Sequence, residues 1–342
     1  MKLARIRVLS LAAGLSVILM LSIAYAWPVQ DTYHPRNLGW NGCSKIASFA
    51  ENMKLLLSYD RPLPTELSLL AIIGPSVEFS RRESSNIRSF LKYGGTVLLA
   101  DDFGTGNSLL EALEVPAKFS KKPLADLLYY EKEPSFPLII DFAQSQVTVN
   151  VSAIVLNHPT YIEIRDSNFV ARLALSSMFS FIDLNRDNRP EPNATIDSYP
   201  VLASASIGEG LLVLVSDPSM FMNEMIDLND NMQLFRNLLE MGHDSLFLEV
   251  AHLGKTPLTD ERMYLKDMIN SVRDLSIFSK SGVYIQFLVV VTLILGFSFE
   301  IVRRVRERPT SRARKKGVKL YNHFRTEKRK CDVEQGLHDG KA

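Results

Sequence analysis

The sequence predicts an α/β domain built on a doubly wound sheet with an added β-rich part, flanked by two transmembrane helices. Three observations carry this. Helix and strand patterns alternate between residues 44 and 113, short strand-like runs follow residue 147, and two long uncharged apolar segments bracket the whole. With 342 residues, 46% hydrophobic and 23% charged, disorder, collagen-like repeats and a disulfide-stapled miniprotein are excluded.

Val8 to Trp27 is a run of twenty residues without a charge. As a helix it would span about 30 Å, the thickness of a bilayer's hydrocarbon core. Ala24-Tyr25-Ala26 has the small-x-small form of a signal-peptidase site, so two readings stay open: a retained anchor or a cleaved signal. Ser281 to Phe299 is a second uncharged run, apolar as far as Val302, with no polar face to suit a core helix. The chain's net charge is only +1, yet Lys2, Arg5 and Arg7 precede the first run, and residues 303–342 carry 14 Lys/Arg against 5 Asp/Glu. Basic flanks mark the cytoplasmic side of a membrane.

The expected order is therefore a basic cytoplasmic start (1–7), an anchor or signal (8–27) and an extracytoplasmic α/β domain (28–255). An amphipathic stalk helix (256–280), a transmembrane helix (281–302) and a basic cytoplasmic tail (303–342) follow. The tail is expected to contact anionic lipid headgroups rather than nucleic acid, at about 1 kcal/mol per basic residue. Cys43 and Cys331 would then lie on opposite sides of the membrane, which forbids a disulfide between them. Asn150 and Asn193 begin Asn-x-Ser/Thr triplets in the exported part and are candidate glycosylation sites.

Within the domain, Ser44 opens a helix whose apolar face runs Ile46, Phe49, Met53 and Leu56. Leu69–Ile73 and Thr96–Ala100 are unbroken apolar runs, as parallel strands covered on both faces read. Between them Ser80 and Glu83 form a capping box, and the helix they start buries Ile87, Phe90 and Leu91 before stopping at Gly94-Gly95. Asn107 to Leu113 is a short helix. Val147–Val155, Tyr161–Ile164, Phe169–Leu175 and Tyr199–Ser206 read as strands, and Gly208-Glu209-Gly210 turns a hairpin into Leu211–Val215. A short helix opens at Asp217-Pro218, another is capped near Asp230, and Leu246–Val250 is the last strand.

Two loops carry chemistry. Asp101, Asp102, Gly104, Gly106 and Asn107 follow a buried strand, where ligands bind in open α/β sheets. Paired carboxylates there could hold a cation, with Asp217 as a further ligand-binding candidate; alternatively Asp101 or Asp102 braces the loop and Asn107 caps the helix. Asp183, Asn185, Asp187 and Glu191 place oxygen donors at positions 1, 3, 5 and 9 of a calcium-type loop, but position 12 is Ala194 rather than a bidentate glutamate. Calcium is thus the candidate cofactor, and a polar turn the alternative. No nucleophile elbow or zinc-type histidine spacing occurs, so the sequence leans away from catalysis.

The strings LLAIIGPSVEFSRRESSNIRSFLKYGGTVLLADDFGTGNSLLEAL and GEGLLVLVSDPSMFMNEMIDLNDNMQLFRNLL resemble the uncharacterised family numbered 4350 among domains of unknown function. Members are common in archaea as membrane-anchored proteins. The first string is also similar to exported domains of gliding-type ABC transport auxiliaries, which resemble class I glutamine amidotransferases. The resemblance implies a flavodoxin-like, amidotransferase-like three-layer sheet. Amidotransferases place a cysteine at a nucleophile elbow, where this chain has Asp101-Asp102, so that activity is not expected. The leading expectation is a membrane-anchored extracytoplasmic binding or assembly protein, non-catalytic, with a protein partner. The alternatives are a divalent-metal-dependent hydrolase using Asp101 and Asp102, and an accessory subunit of an ABC-type or AAA-ATPase-linked envelope system.

Overall fold

Five successive apolar residues in an extended run are stable only where helices or loops cover both faces of the sheet. That constraint organises the computed structural model, which describes residues 28–63, 68–241 and 245–254, with positions 14–16, 19 and 22 besides. The chain divides into two units, Pro28–Thr259 and the terminal stretches Met1–Trp27 with Asp260–Ala342; the architecture is that of the first.

Its main sheet has eight strands: β1 (Asn52–Leu56), β2 (Leu69–Ile73), β3 (Thr96–Ala100), β4 (Asp141–Phe142), β5 (Val170–Leu175), β6 (Pro200–Ile207), β7 (Gly210–Val215) and β8 (Ser245–Glu249). They lie in the order β1-β8-β2-β3-β7-β6-β5-β4. The first five run parallel. From β7 onward the pairing turns antiparallel. Four helices accompany them: α1 (Ser44–Phe49), α2 (Arg81–Lys92), α3 (Gly106–Ala112) and α4 (Asn231–Met241).

Every residue of β2 and β3 is buried. On one face α2 and α3 bury Ile87, Phe90, Leu91, Leu109 and Leu110 against Leu70, Ile72, Leu99 and Leu214. On the other, α1 and α4 bury Ile46, Leu234, Phe235 and Leu238 against Ala71, Ile73, Leu98 and Val213. The start of α2 is the capping box read from the sequence: Glu83 N donates to Ser80 Oγ and Ser80 N to Glu83 Oε2. Three two-stranded ribbons complete the β-rich part, pairing Ala117–Phe119 with Ile162–Ile164, Leu124–Asp126 with Ser180–Ile182, and Leu138–Ile139 with Ile154–Val155.

Several expectations are corrected. The fold is mixed α/β with a large β-rich sheet, not a flavodoxin-like doubly wound one, because the β6–β7 hairpin extends the parallel strands with three antiparallel ones. The expected flanking pair of transmembrane helices is not found: among the described residues no helix is long and apolar enough to cross a membrane. The longest described helix, α2, has 12 residues, about 18 Å against the roughly 30 Å of a hydrocarbon core. The placement of both termini in the cytoplasm and the domain outside falls with it. Residues 1–7, 256–280, 281–302 and 303–342 lie outside the described residues, as does 8–27 apart from the positions named above.

Locally, the helix expected through Leu56 ends at Phe49, and β1 takes over. Ile46, Phe49, Met53 and Leu56 fit a helical period, but parallel pairing of Asn52–Leu56 with Ser245–Glu249 outweighs that local preference. Likewise Val147–Val155 is mostly loop, since Asn237 Nδ2 donates to the carbonyls of Val147 and Val149 and occupies what a strand partner would need.

Phe235 is fully buried and meets Phe221 edge-on at 6.2 Å. Phe235→Ala is expected to cost about 3–5 kcal/mol by urea denaturation; a loss under about 1 kcal/mol would show that the layer does not pack this way.

Candidate functional site at the carboxyl edge of the parallel strands

Beyond β3 the chain turns to α3 on one face of the sheet. Beyond the neighbouring strand β7 it turns to a 3-10 helix, Pro218–Phe221, and α4 on the other face. Adjacent strands whose connections part in this way open a crevice at their carboxyl ends. Asp101 and Asp217 head the two exits.

Both are fully buried. Asp101 Oδ1 accepts from Gly104 N at 3.0 Å and Oδ2 from Gly106 N at 2.8 Å. A Cβ at Gly104 would stand 2.4 Å from Asp101 Oδ1, and one at Gly106 2.8 Å from Oδ2, so glycine at both positions is what lets the loop close on the carboxylate. Asp217 Oδ2 accepts from Asn157 N at 2.6 Å, and Oδ1 from Ser219 N at 2.7 Å as the cap of the 3-10 helix. Burial pushes Asp101 up to about 6, against the two glycine amides and with the neighbouring Asp102 adding to the rise. Burial pushes Asp217 up to about 8, with Asp102 again adding to the rise. Asp102 is only partly covered; burial raises it too, while its bond from Phe103 N and the Arg186 charge oppose the rise.

Tyr33 reaches the same edge from the segment before α1. Its hydroxyl lies 3.2 Å from Ser219 Oγ, and burial drives its pKa far above the usual value. Its ring covers Gly74, where a Cβ would fall 2.3 Å from Tyr33 Cε2. Asn223 holds that segment down: its Nδ2 donates to the carbonyls of Asn37 and Gly39, and its Oδ1 accepts from Lys45 N at 2.9 Å. Between this strap and the ends of β2 and β8 lies a cavity of about 370 Å³ lined by Asp31, Thr32, Tyr33, Gly74, Ser76 and Gly254.

The structure brings Asp101, Asp102, Gly104, Gly106 and Asp217 to one edge but spends Asn107 elsewhere. Asn107 clasps both backbone groups of Phe119 at 2.8 and 2.9 Å, and the residue preceding α3, Thr105, makes no side-chain cap. The Asp183 loop is likewise occupied by its own backbone. Asp183 accepts from Asp187 N and Asn188 N, Asp187 from Arg189 N, and Asn185 donates to Glu191. Among the described residues no group of three or more His, Cys, Asp or Glu is placed to hold a metal ion. What the loop delivers instead is Arg186, whose guanidinium sits 4.8 Å over the Phe103 ring beside Asp102. Asn150 and Asn193 are both exposed. Cys43 is fully buried, and burial pushes its thiol well above the usual range, which leaves no reactive thiolate.

One cluster escaped sequence reading. His252 is buried with Nδ1 2.9 Å from Glu249 Oε1 and Nε2 3.6 Å from Glu83 Oε2, its ring stacked on Phe79 at 3.9 Å. The Tyr59 hydroxyl, Ser84 Oγ and Glu249 Oε2 are buried without a hydrogen-bond partner. In the sequence, Glu83 signalled only a capping box and His252 stood alone.

The family model described as "Domain of unknown function (DUF4350)" matches residues 35–239, more than half of the chain. The chain belongs to the DUF4350 family. The DUF4350 span contains Asp101, Asp102, Asp183, Arg186 and Asp217 but stops short of β8 and His252. No curated protein matches. Among solved structures, the chain is similar to the mmIFT52 N-terminal domain at 17% identity, covering 51% of this chain and 77% of that one with a TM-score of 0.40. It is also similar to the cytoplasmic protein STM1381 of Salmonella typhimurium LT2, at 11% identity, 58% and 78% coverage and a TM-score of 0.33. The exo-beta-1,4-mannosidase Op5Man5 of Opitutaceae bacterium strain TAV5 follows at 16% identity, 58% and 28% coverage and a TM-score of 0.29. Likenesses this distant carry no functional argument.

Because Asp101 and Asp217 hold protons more tightly folded than unfolded, their stabilisation is complete below about pH 4. It is lost as pH rises through about 6 and then about 8. In the DUF4350 domain, Asp217→Asn is expected to flatten the fall in melting temperature between about pH 6 and pH 9 by about 3 °C or more, roughly 1 kcal/mol for a domain of this size. Parallel pH profiles for the wild type and the variant would contradict this assignment.

Proposed function

We propose that this DUF4350 chain is a non-catalytic binding or assembly domain that seats a polar group of a ligand or partner at the carboxyl edge of its parallel strands. The observation that carries the reading is how the carboxylates are spent. Each oxygen of Asp101 and of Asp217 accepts a backbone amide of a loop. A general base or metal ligand has to be aimed at its target, and these buried carboxylates are turned onto their own loops instead. A cavity of about 370 Å³ remains open beside them, walled by the strap that carries Tyr33. Pre-formed concavities with a few convergent polar groups at this edge are the usual seats of small ligands in α/β sheets.

Gly254→Leu tests this, because among the described residues a Cβ there meets only Ser76, Oγ at 3.3 Å and Cβ at 4.0 Å, and Gly254 lines the cavity that a longer side chain would enter. In a ligand-observed NMR screen of small amines, carboxylates and sugars, wild-type hits are expected to weaken tenfold or more in Gly254→Leu, with melting temperature kept. Binding unchanged by that substitution would move the site elsewhere. Turnover of p-nitrophenyl phosphate or acetate that disappears in Asp101→Asn would replace the binding reading with catalysis.

A further inference from the structure

A cavity of about 870 Å³ lies at the opposite end of the domain from the carboxylates. It is formed by the loop after β4 and the last turns of α4. A second cavity of about 310 Å³ adjoins it, shares Ser145, Gln146 and Met241, and reaches Gly210 at the start of β7. Together they form a cleft that reaches the amino end of β7.

The cleft's frame is fixed by its own hydrogen bonds. Thr148 Oγ1 donates to Ala143 O at 2.6 Å, and Ser145 N donates to Thr148 Oγ1 at 3.1 Å. Asn237 Nδ2 holds the carbonyls of Val147 and Val149, and Asp230 Oδ2 accepts from Ser152 N and Ala153 N. On that frame stand Gln144, Gln146, Asn150 and Glu240, exposed and with no hydrogen-bond partner among the described residues. Ser204 and Ser206, two residues apart on β6 and so on one face of the strand, line the adjoining part.

Among the described residues no lysine or arginine lines either cavity, which disfavours phosphates and nucleic acids. The free amides can each donate and accept, Glu240 and Glu209 accept, and Phe142, Val149 and Met241 supply apolar surface between them. Vicinal hydroxyls on an otherwise C–H-rich ring present the complementary pattern. We propose that this cleft binds a neutral, hydroxyl-rich ligand of the oligosaccharide class. The rigid frame lowers the ordering cost of binding, and two adjoining cavities of about 870 and 310 Å³ suit several linked rings rather than one.

The test is calorimetric titration of the full chain with cellohexaose, maltohexaose and chitohexaose, with inorganic phosphate and hexanoate as controls. At least one glycan is expected to bind with a dissociation constant of order 0.1–1 mM. Gln146→Leu and Asn150→Gly should each weaken it tenfold or more. Asn150 has φ 58°, so glycine keeps its backbone, and unchanged melting temperatures would confirm that both variants remain folded. No heat from any glycan at about 10 mM, heat from phosphate or hexanoate alone, or glycan affinity that survives both substitutions overturns the proposal. The cleft shares no lining residue with the carboxyl-edge cavity, so Gly254→Leu should leave glycan binding intact.

Discussion

A carboxylate removed from water has to keep its proton or find donors, and the carboxyl edge of this sheet is arranged around that requirement. Asp101 and Asp217 sit at the exits of two neighbouring parallel strands, wholly buried, each gripping two backbone amides. The paired glycines of one loop, the 3-10 turn after the other strand and the strap carrying Tyr33 all follow from housing these two side chains. Because Asp102 adds a third negative group nearby, the edge favours protonated acids and an incoming cation. Arg186 from the Asp183 loop is the cation the chain itself supplies.

Cavity size and chemistry point to different ends of the molecule. The larger opening lies among neutral amides at the amino ends of the strands, whereas the shifted carboxylates lie beside a smaller cavity. For chemistry the shifted groups would be the better guide, but each of their oxygens already accepts a backbone amide. For binding, open volume with unspent polar groups weighs more. The two observations therefore describe two separate cavities on one scaffold, with no lining residue in common.

Much of the scaffold was legible. Leu69–Ile73 and Thr96–Ala100 read as doubly covered strands because nothing else accommodates five consecutive apolar residues of that kind, and the Ser80–Glu83 box announced α2. The Asp101–Gly106 loop was legible as a place, since carboxylates with glycines after a buried strand mark an edge. Its role was not: either oxygen could have faced a ligand or the loop itself, and backbone closure decided that. The Asp183 loop was ambiguous for the same reason, its oxygen spacing suiting calcium and a self-satisfied turn equally.

By itself the sequence determined which segments must be buried, where helices are capped and where chain reversals occur, because those depend on apolar periodicity and on residues a few positions apart. Only the tertiary structure decided that Asn52–Leu56 is a strand, that Arg186 rests on Phe103 and that His252 lies between Glu83 and Glu249. The β1 pairing, the Arg186–Phe103 stack and the His252–Glu83 approach each join groups from about 80 to 190 positions apart in the chain. Their energies arise from mutual desolvation and contact geometry, which no local pattern of residues records.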